Sequence, residues 1–228
     1  DGALSQLHAR RCNPGRYDLL FSPASCAVLL HELLSQGFCD EGHGQAQPIW
    51  TGTLLPELLQ LSDDPMQEAA FGSYQRDERG ALAPKQGLTD AGLLLRERIG
   101  HDLRDERGAP LRALANLRMA SGAHSDDELV AMCKKGLWLD RVDQVDVDES
   151  GNRVRLLVPR ARELMEGRST GRVLGPLIVS APIAELLASV RGAGRRGQLL
   201  CFERKGTAST VLARSLLSWG HAVPHGGA

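Results

Sequence analysis

The stretch Val142–Pro159, VDQVDVDESGNRVRLLVP, decides the fold. Apolar and polar residues alternate on both sides of Glu149-Ser150-Gly151-Asn152, the pattern of a half-buried strand that turns and returns beside itself. Residues 161–180, ARELMEGRSTGRVLGPLIVS, repeat the pattern around Glu166-Gly167. Two hairpins in succession predict an antiparallel sheet. The expected fold class is therefore α+β, with an extensive, hairpin-rich antiparallel sheet and a few packed helices.

Working outward, YDLLFS (17–22) predicts a strand, and Ser22-Pro23 an N-cap and first-turn proline for a helix over 23–36, ended by Gly37. Ser125-Asp126-Asp127-Glu128 matches a capping box and opens a helix expected over 126–135, ended by Gly136. Asp90-Ala91-Gly92 separates two short strands, and SAPIAELLASV (180–190) has the cap and spacing of a further helix. Asp63-Asp64-Pro65 marks a turn. The remaining stretches read as irregular: 43–53 as loop, HDLRDERG (101–108) as a charged helix or loop, RGAGRRGQ (191–198) as a basic glycine-rich loop, and HAVPHGGA (221–228) as a disordered tail.

Composition narrows the function. The 228 residues carry 27 Lys+Arg against 28 Asp+Glu, a formal charge of −1, which gives no bulk attraction to nucleic acid or to an anionic membrane. No apolar run approaches the roughly 18 residues that cross a bilayer, and DGALSQLHARRC has no basic-then-apolar leader. The opening without methionine leads us to expect that an N-terminal portion is absent. Residues 1–228 are expected to form a single domain, with 1–16 and 220–228 peripheral. The five cysteines, Cys12, Cys26, Cys39, Cys133 and Cys201, are odd in number and form no CxxC, so reduced thiols in a cytoplasmic protein are expected.

The chemistry concentrates in VLLHELLSQG (28–37). A hydrolytic zinc site needs about three protein ligands, an open position for water and a carboxylate as general base. His31 and Glu32 offer one ligand and one base. The residue at i+4, about 40° round the helix, is Ser35, which is no zinc ligand; Gln36 at i+5 lies about 140° round and offers only an amide oxygen. The alternative is a partly buried, hydrogen-bonded histidine beside a surface glutamate.

In order along the chain, NPGRYDLLFSPASCAVLLHELLSQGF (13–38), GLTDAGLLLRERIGHDLRDERG (87–108), LRMASGAHSDDELVAMCKKGLWL (117–139) and RELMEGRSTGRVLGPLIVSAPIAELLASV (162–190) resemble the C-terminal domain of the TldD/PmbA metallopeptidases. The resemblance implies a zinc ligand at His31, a general base at Glu32, and a third metal-site residue at Cys201, in GQLLCFERKG (197–206). It places Gln36 where active members carry a second histidine, and Phe202 where a glycine usually follows the cysteine. Cys39 and His43 are possible substitute ligands if their loop folds back. The implied activity is cleavage of short or unfolded peptides. The implied alternative is an inactive TldE-like subunit that pairs with an active TldD-type partner and shapes the substrate tunnel.

Overall fold

Alternating apolar residues, as in 153–158 and 177–182, give strands one face for a shared core, and twelve strands satisfy their main-chain groups in a single sheet. A computed structural model of the chain describes residues 9–38, 55–68, 70–76, 80–95, 101–104, 110–148, 152–204 and 207–225. The first elements are β1 (Gly15–Phe21), α1 (Pro23–Phe38), β2 (Leu61–Asp63), β3 (Gln86–Gly87), β4 (Thr89–Asp90), β5 (Leu93–Leu94), β6 (His101–Arg104), β7 (Pro110–Ala113) and β8 (Asn116–Met119). There follow α2 (Asp126–Ala131), β9 (Lys135–Leu139), β10 (Gln144–Val147), β11 (Arg153–Val158), β12 (Ala161–Met165), β13 (Arg168–Leu174), β14 (Leu177–Pro182), α3 (Ile183–Ala188), β15 (Gly192–Arg204) and β16 (Thr207–Pro224).

The large sheet runs β10-β11-β14-β16-β1-β9-β12-β13, with β15 and β8 also on β16, β2 on β8 and β3 on β2. Its pairings are antiparallel except β1 with β9 and β16 with β8. The 18-residue β16 is the hub. Its first half pairs with β15 and β8, and its second half with β1 and β14.

Helix α1 lies against one face of this sheet. Ser22 caps it, its Oγ accepting from the Ser25 amide at 3.2 Å. Leu29, Leu30, Leu33 and Leu34 are all buried, each contributing about 1.5–3 kcal/mol. The helix touches β1, β10, β15 and β16, strands far apart in the sheet order, so the sheet wraps around it. On the other face Leu20, Leu129, Val130, Cys133, Leu164 and Leu217 form a second cluster beneath α2. The buried Asp63 carboxylate accepts from the Ala115 and Asn116 amides at 3.0 and 2.7 Å, fixing the start of β8 against β2.

Both predicted hairpins, the turn at 91–92 and the capping box are present; Ser125 Oγ accepts from the Glu128 amide, and the Glu128 carboxylate accepts from the Ser125 amide. Those bonds hold the Glu128 carboxyl below its usual pKa. Several expectations are corrected. Helix α1 continues through Gly37 to Phe38, because glycine permits a left-handed stop without compelling it. Helix α2 is shorter than expected, since Leu137 and Leu139 are buried in the sheet opposite Leu19 and Phe21, as part of β9. Residues 101–104 form a strand paired with β7. Helix α3 begins after Pro182, with Ser180 still in β14.

The supposed loop 191–198 belongs largely to β15, where Gly194 packs so closely on Ser215 that a side chain would meet its Cβ at 3.0 Å. Residues 221–224 belong to β16 and pair with β14, so they are sheet and not tail. The loop expected over 43–53 lies outside the described residues. None of the helices described is long and apolar enough to cross a membrane.

Two outcomes test this packing. At Gly122 an added methyl would press into the Ala193 main chain, so Gly122→Ala is expected to destabilise the fold by about 1–3 kcal/mol in thermal or urea melts; an unchanged midpoint would contradict the seating of 122–124 on β15. Burial raises the Cys26 thiol to about 12, that of Cys133 to about 11, and that of Cys12 upward, so these stay protonated, while Cys201 is exposed. In a Cys39→Ser background, a thiol reagent at about pH 8 is expected to label one site quickly and none after Cys201→Ser. A second fast site would contradict the burial.

Candidate functional site

Helix α1 presents His31 and Glu32 to the hairpin of β15 and β16. Phe202 and Ser209 are cross-strand partners in that hairpin, so their side chains share a face, and that face is turned on α1. Ser209 Oγ stands 3.1 Å from His31 Nε2, and the Phe202 ring stacks on the imidazole with centroids 4.2 Å apart and planes 10° from parallel. On the other side of the ring, Nδ1 lies 3.3 Å from Glu32 Oε1. His31 is 3% exposed and Ser209 4%, whereas the Glu32 side chain is 27% exposed.

A neutral imidazole has one donor and one acceptor nitrogen. With Nδ1–H donating to Glu32, Nε2 accepts from the Ser209 hydroxyl, and the buried ring is satisfied at both ends. Carboxylate, imidazole and hydroxyl in this order have the connectivity of an activated nucleophile. Access decides against that use, because Ser209 is buried. The chain of bonds is structural: it lets a polar ring sit in an apolar core without the cost of an orphaned nitrogen.

Of the predicted metal residues that the structure describes, His31 and Cys201 are not brought together. Side chains alternate faces along a strand, so Cys201, next to Phe202, points away from α1 together with its partner Thr210. The hairpin register thus delivers Phe202 to His31, and leaves the Cys201 thiol exposed on the opposite face. The Gln36 side chain, Cys39 and His43 lie outside the described residues. Among the described residues no three His, Cys, Asp or Glu side chains stand close enough to hold a metal ion. The donors as arranged do not fit a hydrolytic zinc: the one nitrogen aimed into the sheet is engaged by Ser209 and covered by an aromatic ring.

Sequence reasoning missed Ser209, which lies 178 positions from its partner. In the sequence Phe202 stands out only as a departure from the glycine that the resemblance leads one to expect.

Comparisons with known proteins agree with the fold. The PmbA/TldA metallopeptidase C-terminal domain matches residues 14–217. Metalloprotease MJ0996 of Methanocaldococcus jannaschii is 25% identical over 163 residues, covering 63% of this chain and 36% of that protein. The crystal structure of TldE from Thermococcus kodakarensis superposes with a TM-score of 0.73 at 16% identity, over 96% of this chain and 52% of that one. A putative modulator of DNA gyrase from Thermotoga maritima gives 0.71 at 14% identity, over 97% and 53%. The chain thus spans about a third of the curated relative and about half of the solved chains. With nearly its whole length matched, the chain belongs to the PmbA/TldA metallopeptidase family, whose C-terminal domain it carries.

Proposed function

We propose that this domain serves as the metal-free member of a TldD/TldE-type pair: it keeps the family scaffold and helps to wall a channel for unfolded peptide, while a companion chain carries the hydrolytic metal. The observation that carries this is the closed state of His31, with both ring nitrogens bonded to protein and Phe202 stacked over the ring. Gln36 at the second-histidine position and Cys201 on the far face of β15 support it. The fold likeness to a chain named TldE is in keeping with it, as are the free thiols of Cys12, Cys26, Cys133 and Cys201, which suit the reducing cytoplasm.

The competing role is a zinc peptidase in which Glu32 acts as general base. That role requires Phe202 and Ser209 to leave His31, the β15 register to shift by one residue so that Cys201 faces inward, or Cys39 or His43 to take its place. Displacing Phe202 and Ser209, or shifting the β15 register, breaks packing that the fold uses.

Two measurements test the proposal. The chain purified without chelator is expected to contain far less than one zinc per molecule and to leave an unfolded peptide intact. Stoichiometric zinc, or hydrolysis abolished by Glu32→Gln, would overturn it. Ser209→Ala strands a buried nitrogen and is expected to cost about 1–3 kcal/mol of stability without changing metal content. Gain of zinc by that variant would mean that the hydroxyl had been occupying a competent ligand site.

A further inference from the structure

The face of the sheet turned away from α1 carries a groove of about 730 Å3, a volume typical of ligand sites. Leu212 of β16, Arg118 of β8, Ser62 of β2 and Gly87 of β3 are successive cross-strand partners, and all four line it. They form a floor about 14 Å wide, the span of roughly four residues of extended chain. Along β16, Ser209 faces His31 while Leu212 and Arg214 face the groove, so the two sites lie on opposite sides of one strand.

The charges on the floor and walls are uneven, two arginines on one side and two acids with one lysine on the other. On the β8 and β16 side, Arg118 donates to Gln67 Oε1 at 2.8 Å, and Arg214 to the carbonyls of Met119 and Arg195 at 3.3 and 2.5 Å. Neither guanidinium has a carboxylate partner among the described residues. Each guanidinium has donors to spare. On the side of β3 and the β4–β5 hairpin, Glu57 and Asp90 line the groove together with Lys85. A polyphosphate would be drawn to the arginines and repelled by the two acids. A ligand with an anion at one end and a cation at the other suits both sides.

We propose that the groove binds a short peptide by its two charged ends, the terminal carboxylate at Arg118 and Arg214 and the terminal ammonium at Glu57 and Asp90. This rests on the domain being one that handles peptides, and it holds whether or not a metal is bound elsewhere. Guanidinium forks match a carboxylate, and the floor sets a length near four residues.

The test is calorimetric titration of the chain, with chelator present, using tetraalanine, its C-terminal amide and its N-acetyl form. The free peptide is expected to bind saturably, and amidation or Arg118→Gln to weaken it by roughly tenfold or more, as loss of a charged hydrogen bond does. Asp90→Asn is expected to weaken the free peptide and leave the N-acetyl form unaffected. If Arg118→Gln lowers the melting temperature, amidation carries the same comparison on the native chain. Equal binding of the three peptides, or saturable binding of none, would overturn the proposal. Because chelator is present and nothing is cleaved, failure here leaves the metal-free assignment standing, and bound zinc in the earlier assay leaves this site standing.

Discussion

The main-chain ladder of β16 is the constraint on which the rest of the molecule depends. One strand of 18 residues bonds to β15, β8, β1 and β14, and so joins parts of the chain that are distant in sequence. Because side chains alternate along it, a single choice of register assigns Ser209, Val211 and Ala213 to the helix side and Leu212 and Arg214 to the groove side. A slip of one residue would exchange the two sets. The histidine pocket and the charged groove are therefore consequences of one backbone decision.

That decision also explains the condition of the His-Glu pair. A metal site on α1 needs soft or imidazole donors from the strand above the helix, and the strand instead offers an aromatic ring and a hydroxyl. Stacking and burial stabilise the phenyl group over the ring, and the hydroxyl removes the need for any other partner at Nε2. What remains is a polar residue held in a dense apolar core, with Glu32 at its edge. The family fold is present, while among the described residues no group of His, Cys, Asp or Glu stands ready to hold a metal beside His31.

Much of this was legible in the sequence. Hairpins with strong turn residues at 149–152 and 166–167 could be read, as could the capping box at Ser125, because those signals are local. The errors share one physical origin. Glycines in 191–198 read locally as loop markers, yet they serve close approach of β15 to β16, which only the paired strand reveals. The C-terminal residues to Pro224 looked too polar and glycine-rich to be structured, but they are held by main-chain bonds to β14 and β1. His31 was found; its partners were not, since whether residue 201 or 202 faces the helix depends on a register that no local pattern encodes.

The most direct test is crystallographic. Crystals of the chain grown with zinc would be measured at the zinc absorption edge. The expected map has no anomalous peak within coordinating distance of His31 Nε2, and shows Ser209 and Phe202 still against the ring. A peak there, with Phe202 displaced and thiol or imidazole donors closing round the ion, would contradict the account.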